Sequence, residues 1–138
     1  MKYLLDTNVL SSVATNKSKI LVSRFRSNAR QDLATCDVVL HEVQFGLAAN
    51  ATIARKLGFI YDALFASLAV LPTDQAVWKR AANIRANLKL GGATIGPYGL
   101  LIAAVAAQYN LTLVTNNSHE FEHVEGLRIE DWSRFDTP

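Results

Sequence analysis

The chain has 138 residues, half of them apolar and 19% charged, with a formal net charge of +2. That is one domain with a single core. So small a charge excludes a polycationic or polyanionic protein but leaves room for a local Lys/Arg cluster that holds phosphate.

Further exclusions narrow the class. No apolar run approaches the ~18 residues of a membrane span, and the first apolar run is cut at Asp6, before a signal sequence could form. Cys36 is the only cysteine, so no internal disulfide exists, and it reads as a small core residue. A soluble cytoplasmic protein is expected, one domain over residues 1–138. The charged fraction is below the usual ~25%, which hints at apolar surface covered by a partner.

In chain order, residues 2–5 read as a short strand closed by Asp6-Thr7-Asn8, and 7–14 as a helix. Residues 18–29 place Ile20, Leu21 and Phe25 at helical spacing among Lys17, Lys19, Arg24, Arg26 and Arg30. Leu33 to Cys36 reads as a second strand. A helix over 38–49 follows, carrying Glu42 in its first half. Helical spacing continues through 51–68, where Ile53, Leu57, Ile60, Tyr61, Leu64 and Leu68 form a broad apolar stripe. Together with Phe45 and Phe59, that stripe suits either core packing or a groove for a partner.

Val70-Leu71 is a brief strand stopped by Pro72. Thr73 or Asp74 is placed to cap a helix over 75–90, with Val77, Trp78, Ala81, Ile84 and Leu88 facing inward and Gly91-Gly92 ending it. Gly96-Pro97 opens a helix through Ala107 that is apolar on nearly every side and therefore buried. Residues 111–114 form a strand ending in Thr115-Asn116-Asn117, and 127–129 an edge strand. Short apolar strands alternating with helices imply an α/β fold: a central parallel sheet of four to five strands flanked by helices.

Parallel neighbours bring their carboxyl ends together, so Asp6, Glu42, Thr115 and Asn117 are placed to converge. Grouped oxygen donors without His or Cys suit hard cations such as Mg²⁺ or Mn²⁺. His41, His119 and His123 lack a cysteine at zinc-ligand spacing and read as surface or partly buried residues. Asp6 and Thr7 also have a purely structural reading, as caps of the helix that follows.

The motifs resemble the PIN-domain family, VapC type, the toxin half of bacterial toxin–antitoxin pairs. The resemblance is carried by Leu5-Asp6-Thr7-Asn8-Val9-Leu10, Glu42-Val43-Gln44-Phe45-Gly46, the run from Ile95 to Ala104, Leu111 to Asn117 with Glu120-Phe121, and Val124 to Trp132. These blocks span almost the whole chain in family order. The resemblance implies a three-layer PIN-like fold and an endoribonuclease that uses Mg²⁺ or Mn²⁺, acts on tRNA or other structured RNA, and is silenced by an antitoxin. Position by position, it makes Asp6 and Glu42 the first two acids. Asn117, with Glu120 near it, falls at the fourth polar ligand, and Thr7, Asn8 and Thr115 are supporting groups. It also implies a homodimer whose two acidic sites share a groove, to which Arg24, Arg26, Arg80 and Arg85 are assigned as RNA contacts.

One departure stands out. The family pattern puts aspartate after Tyr98, where this chain has Gly99. A carboxylate in a helix first turn is favoured by the helix dipole, whereas glycine costs about 1 kcal/mol relative to alanine. Either a catalytically lapsed member or an inactivating change that lets a toxic protein be produced fits this. The intact remainder of the motifs favours the second. The expectation is a nuclease impaired at position 99, with an inactive module that binds antitoxin or RNA as the alternative. A phosphatase using Asp6 as nucleophile would want a second Asp at position 8, which is Asn8.

Overall fold

A computed structural model describes residues 1–134, so the last four residues of the expected 1–138 domain lie outside the described part. Five short strands form the sheet: β1 (Tyr3–Leu5), β2 (Leu33–Cys36), β3 (Ala69–Leu71), β4 (Thr112–Val114) and β5 (Ile129–Glu130). Their spatial order is β3-β2-β1-β4-β5, and every neighbouring pair is parallel. Tyr3 at the centre stands opposite Leu33 on one side and Thr112 on the other.

Parallel pairing needs a crossover on each return, which is why helices fill the intervals. These are α1 (Thr7–Thr15), α2 (Lys19–Ser27), α3 (Asp37–Ala49), α4 (Ala51–Ser67), α5 (Gln75–Leu90), α6 (Pro97–Gln108) and the single-turn α7 (Ser118–Phe121), with a 3-10 turn at Arg30–Asp32. The result is the expected three-layer α/β arrangement. Leu4, Leu5, Ala34, Leu113 and Val114 are completely buried. Strands covered on both faces read as continuous apolar runs rather than alternating ones, and these do.

The helix ends have local causes. Ser18 Oγ, Asn50 Oδ1 and Asp74 Oδ1 accept hydrogen bonds from the backbone N–H groups of Leu21, Ile53 and Val77 at 3.3, 3.1 and 3.0 Å, capping α2, α4 and α5. The helix α5 stops at Gly91, and Gly92 takes φ +77°, which costs a residue without Cβ nothing. In α6, Pro97 occupies the first turn, and residues 102–106 are buried, as an all-round apolar helix requires.

Three expectations need correction. Trp78 is 56% exposed and does not join the inward face of α5, because the neighbouring Val77 takes that place at 0%. Adjacent helical residues point about 100° apart, and in α5 the buried residues Val77, Ala81, Ile84 and Leu88 define a stripe that leaves Trp78 at its outer side. The last strand lies at Ile129–Glu130, later than 127–129, and α7 was not anticipated.

Candidate active site

The chain runs outward from β1 through β2 to β3, then returns to place β4 on the other side of β1. Connections therefore leave β1 and β4 in opposite directions, opening a crevice beyond their carboxyl ends, where ligands collect in open α/β sheets. Asp6 stands at that point. Its N–H donates to the carbonyl of Val114 at 3.2 Å, extending the ladder one residue past β1. Its extended backbone then makes it the cap of α1, with Oδ1 accepting from the N–H of Val9 at 3.2 Å. The capping and functional readings of Asp6 are thus compatible in one side chain.

Only 6% of Asp6 is exposed. Burial pushes its carboxyl up to about 6, and the nearby charge of Glu120 adds to the rise. Hydrogen bonds from the Thr115 side chain and the backbone of Val9 and Asn8 pull the other way without cancelling it. A carboxylate kept in so dry a place is ready to receive a cation.

Glu42 comes from the second turn of α3, and the hydroxyl of Thr7 donates to its Oε1 at 2.9 Å. The residue next to the first acid therefore orients the second. From the far side come Gly99, buried in the first turn of α6, and Glu120 on α7. Asp6, Thr7, Asn8, Glu42, Tyr98, Gly99 and Glu120 line one cleft of about 300 Å³.

Thr115 and Asn117 are not among the lining residues. Thr115 is fully buried, and its Oγ1 accepts from the N–H of Asn117 at 3.0 Å, shaping the turn after β4. The Asn117 amide donates to Oε2 of Glu120 at 3.0 Å. Both shape the cleft from behind.

The PIN-domain profile matches residues 3–127. The chain is 35% identical to the tRNA(fMet)-specific endonuclease VapC of Shigella flexneri over 96% of its own length and 99% of that protein. It is 33% identical to the protein of the same name from Salmonella typhimurium, covering 96% and 98%. The solved structure of DNA-bound VapBC from Salmonella typhimurium is similar to it with a TM-score of 0.87, covering 96% of this chain and 98% of that one. VapBC2 from Rickettsia felis, bound to a fragment of promoter DNA, gives 0.84 at 27% identity, covering 96% and 99%.

This chain belongs to the PIN-domain family, VapC type.

Within this PIN domain the donors available to an ion are all oxygens: the carboxylates of Asp6, Glu42 and Glu120 and the hydroxyl of Thr7. That chemistry fits a hard divalent cation. No ion pair among the described residues involves any of the three carboxylates. As placed, no three His, Cys, Asp or Glu side chains of the described residues stand close enough together to hold an ion. The kinds of donor match such an ion, although as placed they do not form a closed coordination shell.

The four arginines do not line the cleft. Arg24 and Arg26 lie on α2, and the exposed Arg80 and Arg85 on α5. Arg80 Nε donates to Gln108 Oε1 at 3.3 Å. Sequence reasoning did not foresee the pairing of His41 with Tyr98 beside this PIN domain's cleft. Nε2 stands 3.1 Å from the phenol oxygen and the rings meet edge to face. The residues are 57 positions apart, and only the packing of α3 beside α6 joins them.

Proposed function

We propose that this chain is a toxin-type endoribonuclease of the cytoplasm that cleaves tRNA or another structured RNA with Mg²⁺ or Mn²⁺ and is silenced by a VapB-like antitoxin. The observation that carries the reading is that Asp6, Glu42 and Glu120, from three separate elements and without an ion-pair partner among the described residues, line one cleft at the β1–β4 switch point. The Shigella and Salmonella relatives, named for endonuclease action on tRNA(fMet), support the substrate class. The VapBC complexes support the antitoxin. Homodimerisation, which would set two clefts along one RNA groove, belongs to the same reading, with Arg24, Arg26, Arg80 and Arg85 on that groove.

In this reading Asp6, Glu42 and Glu120 hold the ion. The chemistry such an ion would supply there is orientation of a water and relief of the charge that builds on the phosphate. Thr7 fixes the orientation of Glu42. The backbone N–H of Val9 and the Thr115 hydroxyl hold Asp6, and Asn8 at the cleft wall offers an amide to the substrate. Asn117 acts through Glu120.

Gly99 leaves α6 without the carboxylate of the family pattern, so the chain is impaired. Removing one preorganised electrostatic group costs on the order of 10²–10³ in rate. Mg²⁺-dependent cleavage of a tRNA pool should therefore be slow, should disappear in Asp6→Asn, and should rise by about two orders of magnitude in Gly99→Asp. Equal rates for the parent chain and Gly99→Asp would refute the impairment. Gly99 also favours a second reading, a catalytically silent module that binds antitoxin or RNA. Retained RNA binding with no cleavage at any Mg²⁺ or Mn²⁺ concentration would establish it.

A further inference from the structure

Gly99 does not have a backbone reason to be glycine. The only glycines with positive φ in the described chain are Gly92 and Gly126. What distinguishes position 99 is what a side chain would meet there. A Cβ built on Gly99 would overlap Oε1 of Glu120 and come within 3.1 Å of its Cδ and 3.5 Å of Ile95 Cγ1. The missing side chain's space is already taken by a carboxylate.

We infer that Glu120 stands in for the acid absent from position 99 in holding the ion, though not in the rate that acid would supply, delivering the third carboxylate of the cleft from α7 instead of α6. This rests on the nuclease reading above.

Three observations carry it. First, α6 has no acidic residue in its first turn, so its N-terminus lacks the negative charge that its dipole favours, and the Glu120 carboxylate lies against that turn. Second, the carboxylate is held there: Asn117 donates to Oε2, which leaves Oε1 directed at Gly99. Third, Glu120 is an exposed residue with no ion pair among the described residues, and yet its carboxyl group turns into an acidic cleft. Glycine at 99 makes that position sterically open.

A carboxylate at 99 and the present placement of Glu120 exclude one another. The conflict falls on the far end of a flexible side chain, so Gly99→Asp would displace Glu120 at little cost rather than unfold α6. The two acids are therefore coupled in a way that independent ligands are not.

The test is a double-mutant cycle on Mn²⁺ affinity, read by electron paramagnetic resonance of free Mn²⁺ with circular dichroism as the folding control. In the parent chain Glu120→Gln should weaken Mn²⁺ binding about tenfold. In the Gly99→Asp background the same change should cost less than about threefold. Asp6→Asn should weaken binding in both backgrounds. A similar loss from Glu120→Gln in both would overturn the stand-in role, making Glu120 an ordinary independent ligand. No loss from Glu120→Gln alongside a clear loss from Asp6→Asn would also overturn it, while the metal-site reading survived. Indifference of Mn²⁺ affinity to Asp6→Asn and Glu120→Gln alike would remove both.

Discussion

Burying the carboxyl of Asp6 costs stability. Its carboxyl rises from an ordinary 3.8 to about 6 because folding takes it out of water. The native state therefore binds this proton more tightly than the unfolded chain, and stability falls as pH rises from about 4 to about 6. Above that window the penalty is fully present, about 3 kcal/mol from the shift. Below it the penalty is gone. Asp6→Asn keeps an acceptor for the Val9 N–H and removes the charge. Urea unfolding in EDTA should show the variant more stable than the parent by up to about 3 kcal/mol at pH 7.5, with the difference vanishing near pH 4. A difference that does not change with pH would contradict this account. The sequence made Asp6 readable because a carboxylate ending an apolar strand stands out. The meeting of Glu120 with Gly99 was hidden, since it depends on where a four-residue helix sets down after β4. Nothing within the motif around Gly99 announces what occupies its empty space.

Among the elements, a polar clasp outside the cleft binds the end of β2 to the end of β3. Asp37 opens α3, and its Oδ2 accepts both the N–H and the hydroxyl of Thr73, at 3.0 and 3.1 Å. Thr73 and Asp74 looked like rival caps for α5. Asp74 takes the cap, while Thr73 turns to a partner 36 residues away that local sequence cannot reveal. Asp37→Ala would leave the Thr73 N–H without its acceptor, at about 1–3 kcal/mol. The Asp37 Oδ1 atom is buried with no hydrogen-bond partner, so part of that loss is returned when the carboxylate goes. Chemical denaturation should therefore place Asp37→Ala near the lower end of that range and Asp74→Ala close to about 1 kcal/mol. Mn²⁺ affinity should be unchanged in Asp74→Ala, whose cap lies outside the lining of the cleft. The element boundaries themselves were legible to within a residue or two. Capping residues and strand-end polar groups are local signals, whereas the side from which a helix is covered is not. Trp78 shows the difference: its spacing allowed an inward place, and only the tertiary packing of Val77 decided against it.

At the scale of the whole molecule, the apolar composition that hinted at a partner reappears as surface. On α4, Tyr61 and Leu64 are buried, while Ile53 and Ile60 are 37% and 39% exposed and Phe59 is 86% exposed. Ile53 and Ile60 lie two turns apart on one face of the helix, with Phe59 beside it. The stripe read from the sequence over 51–68 thus splits into a core-facing half and a solvent-facing half. The solvent-facing half suits the apolar side of an amphipathic helix laid along it. An antitoxin segment is the occupant proposed, in keeping with the VapBC complexes that resemble this fold. An aromatic anchor of this kind contributes about 2 kcal/mol or more to an interface, so Phe59→Glu should weaken binding of the VapB-like antitoxin by at least about 30-fold. Because Phe59 is so exposed, the chain's own unfolding free energy should stay within about 0.5 kcal/mol of the parent. Calorimetric titration with the antitoxin, beside urea unfolding of the toxin alone, separates the two effects. Undiminished affinity in a folded Phe59→Glu variant would mean that the antitoxin grips another face. A lost self-association with antitoxin affinity intact would assign α4 to the dimer instead.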